Sequence, residues 1–326
     1  MSYTCEKVPL NDITRKFTIS RPADLAKVNY TVLPEDLPVA KQWSMKPVTL
    51  MPGFTDLFNE IQSLDGRQSD VWVVSFPKCG TTWCQEMVWL LDNNLDFEKA
   101  KSTLLTDRFC FLELSYLPNG ERGHSVEKLQ GMTTKRYIKS HLPAHILPRS
   151  LWYAKSKIIY IARNAKDAAV SFFHHWRNMG KFTGSLDDHL DLFINNYVVF
   201  GPFHDHVLDF WRMKDEENIL FITYEEMKRD LDGVIRKTCD FLGKDYPANR
   251  IDELKEHLSF KSMRENETIK IEHFTGIYQD WQDQSYRFVR KGEVGGYKSE
   301  MSAEWIEKFN KWSMNELRGS GFEFEE

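Results

Sequence analysis

The sequence predicts an α/β protein: a single domain built on a central, mostly parallel sheet flanked by helices. Three observations carry that expectation. Runs at 71–74, 136–140, 158–162 and 219–224 are short and apolar or β-branched, the composition of strands buried on both faces. Helical periodicities lie between and after them, and such alternation implies a parallel sheet covered on both sides. The first run, Val71-Trp-Val-Val74, also passes directly through a Pro/Gly turn into a helical pattern, a strand–turn–helix unit.

Along the chain, residues 1–45 are mixed and polar, with Pro22, Pro34 and Pro38 spread among charges. They are expected to form an extension packed on the core, leaving 46–326 as the domain itself. The turn Ser75-Phe-Pro-Lys-Cys-Gly-Thr-Thr-Trp83 opens a helix from Thr81 to Leu91, with Trp83, Met87 and Leu90–Leu91 on one apolar face. The stretch 118–134 carries Asn119-Gly120, Gly123 and Gly131 and is expected to be a mobile loop. Arg136-Tyr-Ile-Lys-Ser140, Ile158-Ile-Tyr-Ile-Ala162 and Ile219-Leu-Phe-Ile-Thr-Tyr224 supply the other strands. Helices are expected at 165–178, 186–199, 203–214, 231–242 and 303–317. The acidic tail Gly321-Phe-Glu-Phe-Glu-Glu326 is expected to fray. Ligands of such sheets bind at the carboxyl ends of the strands, and Lys78, His141, Arg163 and Tyr224 all fall at or just past such an end.

At 326 residues the chain can bury one substantial core. A formal net charge of −5 argues against broad binding to nucleic acid or anionic membranes, so any phosphate must be held by local cations. Twenty-two Phe and ten Trp are more than core filling usually needs, which fits an aromatic-lined pocket. Cys5, Cys79, Cys84, Cys110 and Cys239 are odd in number and scattered, so neither a metal site nor a disulfide framework is indicated. No run approaches the ~18 apolar residues needed to span a bilayer, and the first residues lack the apolar stretch of a signal peptide. A cytoplasmic location is the expectation.

Four segments carry chemistry. In the 75–83 turn, backbone N–H groups and the positive end of the helix dipole converge, Lys78 adds a charge, and Thr81 and Thr82 add hydroxyls; together they can cradle a phosphate. The lysine precedes the glycine, unlike a Walker A motif, which weakens an ATP-hydrolysing reading; a plain turn with a surface lysine is the alternative. In Lys139-Ser-His141-Leu-Pro143, the neighbouring cation disfavours protonated imidazole, which suits His141 to act as a general base, against the alternative of a core or capping histidine. Arg163 ends a strand and Ser171 lies two helical turns beyond; the pair suits a phosphate, or else Arg163 pairs with Asp167 and Ser171 merely packs. Arg287-Phe-Val-Arg290-Lys291-Gly292-Glu-Val-Gly295-Gly296-Tyr-Lys298 reads as a loop closing over an anion or as a solvated basic loop.

In this order the four segments resemble the cytosolic sulfotransferase family, over about residues 45 to 315. The family's YPKSGTTW is here FPKCGTTW, its K-[ST]-H-L-P is KSHLP, its RNxKDxxVS is Arg163 to Ser171, and its RKGxxGxxK is Arg290 to Lys298. Members transfer a sulfuryl group from 3′-phosphoadenosine 5′-phosphosulfate (PAPS) to a small acceptor, leaving adenosine 3′,5′-bisphosphate (PAP). The resemblance implies a P-loop-like phosphosulfate-binding loop in which Lys78, Gly80, Thr81 and Thr82 hold the 5′-phosphosulfate and Trp83 stacks on the adenine. It gives Arg163, Ser171, Arg290, Lys291 and Gly292 to the 3′-phosphate. Tyr224, in an FxxYEExK segment, becomes a further nucleotide contact, and Phe260 covers the base beside Leu258, which stands where the family often has threonine.

The implied reaction is in-line displacement at sulfur, with His141 taking the acceptor proton, Lys78 and Lys139 offsetting developing charge, and no metal required. The acceptor pocket falls to Phe111, Leu114, Phe172 and His175 beside His141, with the 118–134 loop as a gate. That implies transfer to the hydroxyl, or the amine, of a small lipophilic acceptor such as a phenol, sterol or alcohol, as in xenobiotic or hormone conjugation. Cys79 replaces the commoner serine, either as a redox-sensitive thiol of lowered pKa or as inert packing. The family's dimer motif KxxxTVxxxE appears as Lys298, Ser302, Ala303 and Glu307 with two of its four positions altered, leaving a homodimer open. Three other readings stay open: a nucleotide kinase, a non-catalytic nucleotide-binding module, and sulfonation followed by elimination, a net dehydration of an activated alcohol.

Overall fold

The computed structural model describes residues 3–8, 11–12, 14–16, 26–30, 36–51, 54–116, 124–269 and 289–326. Among them β1 (Tyr3–Lys7), β2 (Ala26–Tyr30) and β3 (Val48–Leu50) form an antiparallel sheet in that order. Strands β4 (Val71–Val74), β5 (Cys110–Phe111), β6 (Tyr137–Ser140), β7 (Lys157–Ala162) and β8 (Ile219–Thr223) form a second sheet, ordered β5-β6-β4-β7-β8. Every pairing in this second sheet is parallel. The first of these strands in sequence is the middle one in space. The chain goes to one side of β4 for β5 and β6 and to the other for β7 and β8, so the carboxyl end of β4 is a topological switch point, where a crevice opens.

Helices α1 (Phe54–Gln62), α2 (Thr81–Asp92), α3 (Phe97–Ser102), α4 (Leu105–Arg108) and α5 (His124–Gly131) precede β6. Between β6 and β8 come α6 (Arg149–Tyr153), α7 (Ala165–Asn178), α8 (Leu186–Ile194) and α9 (Phe203–Arg212). The remainder are α10 (Tyr224–Arg229), α11 (Leu231–Leu242), α12 (Ala248–His257), α13 (Phe260–Glu265) and α14 (Ala303–Glu316).

Successive strand residues point to opposite faces, and this splits the apolar runs between two cores. Trp72, Val74, Ile158 and Tyr160 join the core that holds Phe172, Phe193 and Phe203 of α7, α8 and α9. Val71, Val73, Ile159 and Ile161 join the core that holds Met87 of α2 and Val234 of α11. Trp72 and Tyr160 are fully buried; truncating a buried aromatic of this kind to alanine costs about 3–5 kcal/mol.

The predicted strands appear within a residue or so of their expected ends, and α7 and α11 match the expected helices. The expected 186–199 helix stops at Ile194, because Asn196 and Phe200 take positive φ of 60° and 70°. Half of the expected 118–134 loop is helix α5, whose Val126 and Leu129 are buried; 117–123 lie outside the described residues.

The tail does not fray. Phe322 packs on Trp211 and Phe221 with ring centroids 4.9 and 5.5 Å apart. Phe324 packs on Phe203, and Glu326 pairs with Lys166. The alternation Phe-Glu-Phe-Glu turns both rings inward and leaves Glu323 and Glu325 exposed, with Glu325 on Arg229.

Candidate active site

At the switch point the chain leaves β4 through Ser75 and re-enters α2 at Thr81. Lys78 and Gly80 both sit at left-handed φ, 68° and 99°. A Cβ on Gly80 would stand 2.7 Å from Cδ2 of Tyr224 and 3.2 Å from Cδ1 of Ile161, so only glycine lets the turn close over that ring. Gly80 is also the N-cap of α2 and caps it with no side chain, so the helix start faces the crevice with its first N–H groups. Thr81 is held by a 2.6 Å hydroxyl–hydroxyl bond to Ser75. The Trp83 indole N–H donates to the Leu258 carbonyl at 2.9 Å, and its ring meets Tyr224 edge-on at 5.7 Å.

His141 follows β6 directly. Its Nδ1 lies 2.8 Å from the Ser75 carbonyl oxygen; a carbonyl only accepts, so Nδ1 carries the proton and Nε2 keeps the lone pair. Burial and the Lys139 charge hold the imidazole pKa well below its usual value, so it stays neutral. The backbone of His141 is pinned at both ends. Its N–H donates to Oε1 of Glu113 at 2.5 Å, and its carbonyl accepts Nε2–H of His206 at 2.9 Å. The Tyr160 hydroxyl in turn donates to Nδ1 of His206 at 2.8 Å.

Glu113 Oε1 also accepts the Ser140 hydroxyl at 2.7 Å. Burial pushes the Glu113 carboxyl up to about 7. Lys139 is half-buried, and enclosure of its ammonium lowers it to about 8 while Glu113 opposes the fall. The ammonium stands 4.1 Å from the centroid of the Phe111 ring. Glu113, His206 and Tyr160 were not foreseen as supports of the site; no spacing in the sequence connects them to His141.

Arg163, just past β7, cross-links the turn to the basic loop. It donates to the Lys78 carbonyl at 3.2 Å and the Glu293 carbonyl at 3.0 Å, with its guanidinium 4.3 Å from the centroid of the Tyr224 ring. Asp167 is 4.0 Å from Arg163 but bonds elsewhere, accepting the N–H groups of Gly295 and Tyr297 at 2.7 and 2.9 Å. The loop is thereby tied to α7. Its cations converge on one carboxylate, with Arg290 and Lys291 2.7 and 2.8 Å from Oε1 of Glu300 and His174 on the other oxygen. Against the upward pull of burial, the contacts from Lys291, His174 and Arg290 hold Glu300 down at about 2. Gly292 has φ 65°, and a Cβ there would overlap the Phe260 ring. Arg287 lies outside the described residues.

Every predicted catalytic and nucleotide-contacting residue lines one cavity, and so do Phe111, Phe172 and His175. Leu114 does not: it sits in the 3-10 turn Leu112–Tyr116, which directs Glu113 inward instead. The apolar end of the cavity adds Met51, Trp176, Met179 and Phe200. Met179 was legible, since Asp167, Ser171, His175 and Met179 form one i, i+4 row on or beside α7. Met51 and Phe200 were not, because β3 pairing brings them in: Phe200 N–H donates to the Thr49 carbonyl at 2.7 Å. The redox alternative for Cys79 is corrected here. The thiol is buried, and desolvation pushes its pKa far up despite the nearby Arg163.

Residues 68–321 match the sulfotransferase domain family. Over 282 residues the chain is 38% identical to luciferin sulfotransferase of Photinus pyralis, covering 81% of this chain and 75% of that protein. With human sulfotransferase 1C2 it shares 35% over 292 residues, 88% of this chain and 97% of the other. Among solved structures, retinol dehydratase in complex with retinol and PAP superposes with a TM-score of 0.86 at 26% identity, over 100% of this chain and 99% of that one. A mouse sulfotransferase complexed with PAP gives 0.66 at 28% identity, over 84% and 92%. These matches leave no place for a nucleotide kinase or a non-catalytic module. With a P-loop-like turn, a neutral histidine and a basic loop on one cavity, the chain belongs to the sulfotransferase family and transfers a sulfuryl group from PAPS.

Proposed function

We propose that the chain sulfonates the hydroxyl of a small lipophilic alcohol, phenol or sterol, with His141 as the general base. The observation that carries this reading is the locked tautomer of His141: Nδ1 is committed to the Ser75 carbonyl, and Nε2 is left basic beside two lysines and the apolar end of the cavity. PAPS supplies a sulfuryl group already bonded to a leaving phosphate. Nε2 of His141 accepts the acceptor's hydroxyl proton as that oxygen bonds to sulfur and the bond from sulfur to the phosphate oxygen breaks. Lys78 and Lys139 face the charge that moves onto the departing oxygens, and positioning with electrostatic stabilisation carries most of the rate.

In the same reading, Gly80, Thr81 and Thr82 hold the 5′-phosphosulfate, and Trp83, Tyr224 and Phe260 frame the adenine. Arg163, Ser171, Arg290, Lys291 and Gly292 take the 3′-phosphate. Support comes from the glycine-only closure over Tyr224 and Phe260 and from the two carbonyls that aim Arg163. Phe111, Phe172 and His175 face the acceptor. We take residues 1–45 as an extension of the 46–326 domain; of its described residues, β2 buttresses this wall by pairing with β3, next to Met51. We assign the protein to the cytoplasm, in keeping with five unpaired cysteines; no described helix is long and apolar enough to cross a membrane. A homodimer through Lys298, Ser302, Ala303 and Glu307 is part of the proposal, and light scattering tests it.

Sulfonation followed by elimination is a second reading. It is favoured by the retinol dehydratase match, which spans the whole chain where the mouse sulfotransferase spans 84%. Labelled PAPS with a panel of phenols, steroids, retinoids and amines, read by mass spectrometry, tests both. A sulfate ester supports the first reading, a product lighter by water supports the second, and labelled amines alone would overturn the hydroxyl assignment.

A further inference from the structure

The two cations at the start of the basic loop share one anionic partner. Arg290 and Lys291 both contact Oε1 of Glu300, and its other oxygen is taken by Nε2 of His174. Lys291 also reaches the Ser299 hydroxyl at 3.3 Å. His174 stands three residues after Ser171 on α7, so Glu300 is held beside the part of the cavity wall where Ser171, Arg290, Lys291 and Gly292 meet.

We infer that Glu300 is a built-in competitor for the nucleotide's 3′-phosphate, an inference that rests on the proposed assignment of that phosphate to this loop. A phosphate arriving there meets donors already bonded to a carboxylate and must share or displace them in the presence of a like charge. The exchange needs side-chain movement only. The far half of the loop stays anchored through Gly295 and Tyr297 on Asp167, and Gly292, at φ 65°, separates the cations from that anchor. Arg163 and Lys78 are outside this arrangement: Arg163 spends two donors on carbonyls and has its nearest carboxylate 4.0 Å away. Glu300 therefore lowers affinity for the 3′-phosphate selectively, leaving the 5′ end of the nucleotide untouched, and it speeds release of the bisphosphate product.

The test compares PAP with adenosine 5′-phosphate, which lacks the 3′-phosphate, by titration calorimetry on wild type, Glu300→Gln and Glu300→Ala. Both variants are expected to bind PAP roughly tenfold more tightly, the effect of freeing about one charge-assisted hydrogen bond. Their affinity for adenosine 5′-phosphate should stay within twofold of wild type, which also reports correct folding. A residue that merely braced the loop would give the opposite sign, so PAP bound equally or more weakly by both variants overturns the inference. A wild type that binds the two nucleotides equally overturns instead the assignment of the 3′-phosphate to this loop, and the inference with it.

Discussion

Gly80→Ala is the substitution whose cost follows most directly from the geometry. Two terms add. The residue sits at φ 99°, where an L side chain costs roughly 1–2 kcal/mol. The new Cβ would also lie 2.7 Å from Tyr224 Cδ2, and Tyr224 cannot simply retreat: it is buried, with Arg163 over one face and Trp83 at its edge. Overpacking of this kind costs about 1–3 kcal/mol. The sum is about 2–5 kcal/mol, divided between unfolding and the nucleotide site. Urea denaturation should show the first share, and calorimetric titration with PAP the second as a rise in Kd of roughly tenfold or more. A double-mutant cycle with Tyr224→Leu separates the terms: measured against the Tyr224→Leu background, Gly80→Ala should cost only the backbone part. Stability within about 0.5 kcal/mol of wild type together with an unchanged Kd would refute the claim that this turn is shaped by Tyr224.

The expected pH dependence of kcat/KM comes from the two titrating groups assigned to the chemistry, His141 and Lys139; Glu113, pushed up to about 7, holds the His141 backbone and takes no part in proton transfer. His141 works as a base above its pKa, which is held well below 6.5, so activity should persist as pH falls through 6.5. Lys139 works as a cation and loses its charge as pH rises through about 8, which sets an alkaline limb. Lys139→Arg, charged at every accessible pH, should move that limb upward; a limb that stays in place would assign it to another group. Phe322→Ala should lower stability by about 3 kcal/mol in urea, as for a buried aromatic, whereas a frayed tail predicts almost no change.

The sheet and the polar half of the site were legible because both are written in local patterns. Val71 to Val74 alternate between two cores, and the strand ends that follow carry Lys78, His141, Arg163 and Tyr224 to one edge. What escaped were features made by distant pairing. Side chains 4–7 of β1 are exposed, so no apolar alternation marked that strand, and β5 is two residues long. Glu113 reaches His141 across 28 positions through a single buried carboxylate. Phe200 enters the cavity because its N–H bonds to Thr49. The tail is a different case: Phe-Glu-Phe-Glu is a clear alternation, whose two rings dock while its two carboxylates stay exposed.

The central claim is that a neutral His141 takes the acceptor proton during transfer from PAPS. Single-turnover transfer of labelled sulfuryl to an accepted phenol or alcohol, in wild type and His141→Gln with PAP affinity measured in parallel, tests it most directly. The account predicts that the variant loses about a hundredfold or more in rate, the range for a general base, with PAP binding within twofold of wild type. A transfer rate within tenfold of wild type, at the same PAP affinity, would contradict it.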